Sequence, residues 1–370
     1  MKKILIVTDY YLPHKSGITT YIKNIIKILE ENNYKITVLT GNYNGKLKKY
    51  ESRGNLKIIR SKVSFNLSRG FYSFDLIKSF IKESNQADLI NIHFPISEIF
   101  PLLLLTSKPI YLNYHCLPNS NSLFSKLIYI YFYFFGIITI LLSKKVIVFT
   151  NDYFYSFFFH KLFSKKILEL LPFIDSNPKI NTEESNTQIS DMIRIGFLGR
   201  LSEEKGLIDL IKASEIMQNK RINHKIKIAG DLKDSRFKRN INNLLKLSSN
   251  NLHVQFIGKL TENEKHIFFQ SIDVLVLPSI NSFEAFGLVQ LEAMSYGKPV
   301  IASNLKGVRI PIKYTGNGFL YEKGNAKELV ECIVSYNKRK KNMNKINIIE
   351  SYNKHFNKEK FSKKLLSLFN

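Results

Sequence analysis

Short unbroken apolar runs alternate along this chain with longer stretches whose apolar residues recur at helical spacing. In the first half, Lys3–Thr8, Lys35–Thr40, Leu56–Arg60, Asp88–His93, Pro109–Tyr114 and Lys145–Phe149 have the pattern of strands. Thr19–Glu31 places Ile22, Ile25, Ile26 and Leu29 on one side of a helix, and Phe74–Glu83 has the same period. Residues 123–142 are helical too, and 127–142 are apolar on nearly every face. Continuous apolar strands separated by helices predict a parallel sheet covered on both sides.

Pro172, Pro178 and the polar run Asn181–Gln188 interrupt this rhythm and predict a linker over 172–190. Alternation then restarts. Strands are expected at Ile193–Leu198, Lys225–Ala229, His253–Ile257, Val274–Leu277 and Pro299–Ala302. Helices are expected at Leu207–Met217, Phe237–Leu247, Glu262–Gln270 and Gly287–Tyr296. The chain thus reads as an amino-terminal α/β domain over 1–171, a linker, and a second α/β domain over 191–348. Two Rossmann-like parallel sheets predict a cleft at the carboxyl ends of their strands.

Composition narrows the function classes. The chain has 370 residues and only two cysteines, Cys116 and Cys332, so neither a zinc site nor a disulfide framework is expected. Reduced thiols fit a cytoplasmic protein. Met1-Lys2-Lys3 leads straight into Ile4-Leu5-Ile6-Val7, too short for the core of a secretory signal. The net charge is +25, yet residues 1–170 carry 23 lysines and arginines against 10 aspartates and glutamates, close to the share of the remainder. A charge spread this evenly is not a nucleic-acid stripe. It fits either the composition of an AT-rich genome or attraction to an anionic membrane surface. The apolar run 127–142 is shorter than the roughly 20 residues that span a bilayer and is rich in tyrosine. A buried helix and a membrane-facing one both satisfy it.

Two constellations carry chemistry. Gly199-Arg200-Leu201-Ser202-Glu203-Glu204-Lys205-Gly206 follows one strand and opens a helix. Such a turn offers free backbone N–H groups, and Arg200 and Lys205 add two cations, a combination suited to a diphosphate. The second is Ser282–Met294, after the strand ending at Leu277. Glu284 lies in the loop, Gly287 stands where the helix opens, and Glu292 lies about two turns further on. The amides of Phe286, Gly287 and Leu288 can face a phosphate, while Glu292 can accept from two ribose hydroxyls. Set among Val289, Leu291, Ala293 and Met294, Glu292 needs a partner.

Together and in this order, the two constellations resemble the retaining GT-B glycosyltransferases known as glycosyltransferase family 4, the glycosyl transferases group 1, over nearly the whole chain. The resemblance implies a GT-B fold and a nucleotide-diphosphate sugar as co-substrate, with no metal or other cofactor. Arg200 and Lys205 would hold the diphosphate, Glu284 would meet the hexose, Glu292 the ribose, and Phe286, Gly287 and Leu288 would supply backbone contacts. Pro13–Thr19 resembles the family's glycine loop, with Gly17 at the helix start and Ser16 in place of a first glycine. Asn91–Pro95 and Asn113-Tyr114-His115 resemble two strand ends of the family, and His115 would contact the donor sugar. The carboxyl-terminal residues 349–370 would cross back to the first domain as a helix. Departures from the pattern fall at Leu171–Asp175, at Ala229–Lys233 and at Arg309, where many members have glutamate.

The resemblance implies transfer of a hexose or N-acetylhexosamine, with retention, to a glycan or lipid-linked acceptor in cell-surface polysaccharide or glycolipid synthesis. A catalytically silent subunit of a glycosyltransferase complex is the alternative. A dehydrogenase is excluded because Thr8–Leu12 contains no G-x-G-x-x-G turn. The expected location is the cytoplasm, with docking on the inner face of the membrane if residues 123–142 meet lipid.

Overall fold

The structure is a computed structural model that describes residues 1–67, 70–117, 123–157, 160–175, 191–231 and 253–369. Most of the expected linker and the expected helix Phe237–Leu247 lie outside the described residues. The chain forms two compact units, one of residues 1–172 with 359–370, the other of residues 173–358.

In unit 1 the chain runs through β1 (Lys3–Val7), α1 (Gly17–Glu31), β2 (Lys35–Gly41), β3 (Tyr50–Arg53), β4 (Leu56–Ser61) and the hairpin β5 (Phe65–Leu67) and β6 (Gly70–Tyr72). It continues through α2 (Phe74–Gln86), β7 (Leu89–Phe94), α3 (Ile99–Leu104), β8 (Ile110–Tyr114), α4 (Leu123–Leu142), β9 (Lys145–Val148), α5 (Asn151–Phe154) and β10 (Ile167–Glu169). Among the described residues the main sheet has the order β10-β9-β8-β7-β1-β2-β4-β3. Every pairing in it is parallel except that of β3 with β4. Ile4 pairs with Ile36 on one side and Leu89 on the other, so the chain reverses its direction of winding at β1. Ligands bind at such a reversal, beyond the carboxyl ends of the strands.

Local sequence explains the element that opens this edge. Ser16 caps α1: its hydroxyl accepts from the Thr19 amide at 3.2 Å, and its own amide donates to Thr19 Oγ1 at 2.8 Å. Ser16, in the place of a glycine, therefore closes a capping box. Ile22, Ile25, Ile26 and Leu29 are buried against the sheet, and the helix ends at Glu31, two residues before Asn33 turns the chain at φ +60°. Ile25→Ala would leave a cavity costing about 2–5 kcal/mol.

Unit 2 contains β11 (Ile193–Leu198), α6 (Leu207–Asn219), β12 (His224–Ala229), β13 (Val254–Gly258), α7 (Glu262–Ser271), β14 (Val274–Leu277) and α8 (Leu288–Ser295). Next come β15 (Val300–Ser303), α9 (Ile310–Thr315), β16 (Gly318–Tyr321), α10 (Ala326–Arg339) and α11 (Lys345–His355). Its sheet is parallel throughout, in the order β13-β12-β11-β14-β15-β16, and reverses at β11. The carboxyl-terminal segment is not one helix. Unit 2 runs to Lys358, and only α12 (Lys358–Phe369) packs in unit 1, where Phe361 meets Tyr21 and Phe369 meets Tyr111. Among the described residues no helix is long and apolar enough to cross a membrane.

Candidate functional site

The functional residues expected from sequence gather at the reversal point of each sheet. In unit 2 they occupy the turns after β11 and β14. Lys205 Nζ donates to Glu284 Oε2, and the pair is largely buried, with 16% and 13% of the side chains exposed. Ser279 Oγ also donates to Glu284 Oε2, at 3.4 Å. Backbone joins the two turns as well, since the Ile280 amide donates to the Glu204 carbonyl at 3.0 Å. Gly206 makes this approach feasible. Its φ is +63°, and a Cβ there would stand 1.8 Å from the Pro278 carbonyl oxygen, so this glycine serves the contact between the turns. The Gly199 amide is committed to the Ala229 carbonyl at 3.0 Å.

Arg200 extends beyond this pair. Its side chain is 61% exposed and leans on the buried Glu204 at 3.5 Å. An ammonium has three donors, so Lys205 can hold Glu284 and an anion at once, while Arg200 still has unused donors in its fork.

Gly287 caps α8 in the left-handed region, at φ +79°, where a Cβ would strike Leu277. The amides of Gly287 and Leu288 donate to no backbone carbonyl among the described residues. The end of a helix thereby presents them, with its partial positive charge. Phe286 is fully buried, and its carbonyl accepts from Gln290 Nε2 at 2.8 Å. Gln290 also donates to the Val308 carbonyl at 2.9 Å, tying α8 to the loop that carries Arg309. This amide is a structural clasp that the sequence pattern did not reveal. Glu292 stands a little over one turn into α8, above Leu288, rather than two turns in. Its partner is Lys265 of α7, at 3.6 Å. Burial raises its pKa, and Glu262 adds to this while Lys265 opposes it.

In unit 1, Gly17 opens α1, and His115 and His93 stand at the ends of β8 and β7. Asn91 Nδ2 donates to the Tyr111 carbonyl at 3.1 Å, which fixes Asn91 Oδ1 as an acceptor. That oxygen faces His93 Nε2 at 3.0 Å, so Nε2 carries the hydrogen. Burial, and then the neighbouring His115, hold His93 well below the usual histidine pKa. Being neutral, its Nδ1 is an acceptor, and it faces His115 Nε2 at 2.9 Å. His115 Nε2 must then be the donor. Burial pushes the pKa of His115 down to about 3. Its Nδ1 is therefore a bare acceptor, buried and without a partner among the described residues. Such an atom is costly unless a donor reaches it. Tyr21 and Asn113 complete the chain, with Tyr21 Oη donating to Asn113 Oδ1 at 3.2 Å and Asn113 Nδ2 to Asn91 Oδ1 at 3.0 Å.

Sequence reasoning missed a second buried group at the same sheet edge. Asp9 follows β1 and Glu98 follows β7. Burial and the Glu98 carboxylate raise the Asp9 pKa, and burial raises that of Glu98. Asp9 Oδ1 and Glu98 Oε2 are both without partners among the described residues. No motif marks them, because they lie 89 positions apart and only the β1–β7 pairing unites them.

Known proteins resemble this chain in sequence over part of its length and in fold over the whole. Residues 179–350 match the family model of the glycosyl transferases group 1. An uncharacterized glycosyltransferase of Methanocaldococcus jannaschii is 36% identical over 143 residues, 38% of this chain and 34% of that protein. The capsular polysaccharide biosynthesis glycosyltransferase CapM of Staphylococcus aureus is 28% identical over 161 residues, 41% of this chain and 38% of that protein. The match thus spans little more than a third of these relatives' own length. Among solved structures, sucrose-phosphate synthase from Thermosynechococcus elongatus superposes with a TM-score of 0.78 at 16% identity, covering 100% of this chain and 98% of that one. HepE of Anabaena, in complex with UDP-glucose, gives 0.74 at 16% identity, covering 100% and 99%. Residues 179–350 are thus similar to the glycosyl transferases group 1, and the chain has the GT-B fold.

Proposed function

We propose that this protein transfers a hexose or N-acetylhexosamine from a nucleoside-diphosphate sugar to a glycan or lipid-linked acceptor, with retention at the anomeric carbon and without a metal. The observation that carries this reading is the Lys205–Glu284 pair beside Arg200, at the turns where α8 opens at Gly287. In it, Arg200, Lys205 and the amides of Gly287 and Leu288 take up the charge of the departing diphosphate. Glu292 accepts from the ribose hydroxyls, and Glu284, held by Lys205, orients the hexose. His115 Nδ1, a bare acceptor, suits a sugar hydroxyl.

The reaction breaks the bond from the anomeric carbon to the diphosphate oxygen. The acceptor oxygen bonds to that carbon on the same face, and its proton passes to the leaving phosphate oxygen. Relatives named for capsular polysaccharide biosynthesis and for a lipopolysaccharide N-acetylglucosamine transferase favour an acceptor of cell-surface polysaccharide or glycolipid synthesis.

The test is a thermal-shift screen of UDP-, GDP-, ADP- and dTDP-sugars, followed by donor hydrolysis with and without a chelator and by NMR of the product anomer. Stabilisation by one donor class, chelator-resistant hydrolysis and a retained anomer are expected. Binding without turnover for every donor and acceptor would favour the catalytically silent subunit, and an inverted product would refute retention.

A further inference from the structure

The outer face of α4 is apolar and exposed. α4 is the crossover between the parallel strands β8 and β9, and one of its sides is spent on the fold. Phe132 packs on Phe94 with ring centres 5.6 Å apart, and Gly136, Thr139 and Ile140 continue that buried side. The opposite side carries Leu127, Ile130, Phe134 and Leu141, spaced by three, four and seven residues and each more than half exposed. They form one stripe about 20 Å long. Neighbouring elements also expose apolar side chains: α3, packed on α4 through Phe100 and Phe135, has Leu104 at 68%, and the turn 160–166 has Leu162 at 76%. Soluble surfaces scatter single apolar residues but rarely align them in this way.

The segment that carries the stripe has charge of one sign. No aspartate or glutamate occurs anywhere from Ile99 to Asn151. Lys144, Lys161 and Lys165 are exposed, and none of them forms an ion pair with a carboxylate among the described residues. Lys166 caps the carboxyl end of α4, donating to the Ser143 carbonyl at 3.0 Å. A second copy of the chain on this face would bring a second set of lysines to the contact, and residues 99–151 hold no carboxylate to meet them. A surface that is apolar within and negative at its rim satisfies both features. That surface is the headgroup boundary of a bilayer containing anionic phospholipid. We infer that unit 1 docks on such a bilayer through the stripe Leu127, Ile130, Phe134 and Leu141 of α4, lying flat, with Lys144, Lys161 and Lys165 following on the elements that meet its carboxyl end. α4 cannot also cross the bilayer, since its inner side is committed to the sheet.

The inference does not depend on the activity proposed above, and its test uses no sugar. The full chain is floated with vesicles of phosphatidylcholine alone and with vesicles that also contain phosphatidylglycerol. Binding to the second kind only, weakened by salt, is expected. Ile130→Asp with Phe134→Asp should abolish it while the circular dichroism melt stays unchanged. Lys161→Gln with Lys165→Gln should weaken it about thirty-fold, at about 1 kcal/mol per lysine, and stands as the test if the apolar pair does not fold. The inference is overturned if the protein stays unbound with both vesicles or binds both equally. It is also overturned if the protein elutes as a dimer that the Ile130→Asp, Phe134→Asp variant converts to a monomer.

Discussion

The two sheet edges that carry the candidate residues treat polarity in opposite ways. In unit 2 the polar groups are charged and matched: Lys205 with Glu284, Arg200 with Glu204, Lys265 with Glu292. In unit 1 they are buried and driven toward neutrality: His93 and His115 below the usual histidine range, Asp9 and Glu98 above the usual carboxylate range. The contrast teaches a division of labour in the proposed reaction. Fixed charges at the end of a helix suit a diphosphate, whose charge grows as it leaves. A desolvated chain of neutral acceptors suits sugar hydroxyls, which discriminate by hydrogen bonding.

The largest expected effect would break the charged half of this comparison. Lys205→Ala removes one cation from the leaving group and leaves Glu284 without its counter-charge. The turnover number should fall about a hundred- to thousand-fold, roughly 3–4 kcal/mol, in steady-state kinetics. Full turnover by the Arg200→Ala, Lys205→Ala variant would remove the role assigned to both.

Next in size is the acid response of the neutral half. The unfolded chain protonates each histidine near pH 6.5, whereas folded His115 resists down to about 3. The unfolded state therefore binds more protons across that window, and stability is lost as pH falls through it, by up to about 1.4 kcal/mol per pH unit for His115. Urea melts between pH 6.5 and 4.5 should show this slope, and His115→Gln should flatten it. An unchanged slope would place the acid sensitivity elsewhere.

Glu292→Gln comes third. A hydrogen bond to a charged group is worth about 1.5–3 kcal/mol, so nucleoside-diphosphate affinity should weaken by that amount in titration calorimetry. Unchanged affinity in the folded variant would separate Glu292 from the ribose.

The carboxyl pair Asp9 and Glu98 gives a subtler signature, opposite in sign to that of the histidines. Their pKa values are raised, so the folded state keeps a proton that the unfolded chain has released. The stabilisation is present below the usual carboxylate pKa and is lost as pH rises above it. Glu98→Gln should flatten this alkaline-side loss in melts from pH 5 to 8. An unchanged loss in that variant would place the alkaline sensitivity elsewhere. The smallest change, Tyr21→Phe, removes one donor to Asn113 and should cost about 0.5–1.5 kcal/mol of stability. Changes in both stability and donor binding would show that the relay reaches the ligand.

The two halves also differed in how much of them could be read in advance. Arg200 and Lys205 share one turn, and Gly287 and Glu292 share another, so their spacing carried the signal. The relay of unit 1 was read only at its ends. His93 and His115 stood out at strand ends, but Tyr21 comes from α1, and Asn91 and Asn113 meet only through the β7–β8 register. Strand β3, the sequence Tyr-Glu-Ser-Arg, was invisible because an exposed edge strand needs no apolar pattern. Helix α10 was legible in Leu329, Val330, Ile333 and Tyr336 but lay between the last strand expected and the carboxyl-terminal helix, where no element was assigned. The apolar run 127–142 left two readings open, since composition cannot say which side of a helix a sheet will cover.

The sequence by itself determined the alternation of strands and helices, the two α/β units and the two motif turns, because periodicity and glycine chemistry act over a few residues. Only the tertiary structure decided that Lys205 pairs with Glu284 and Glu292 with Lys265. It alone left His115 Nδ1 a bare acceptor, joined Asp9 to Glu98, and turned one stripe of α4 outward. Each of these depends on parallel pairing that brings distant segments together, and on desolvation, which exists only once the sheets are covered.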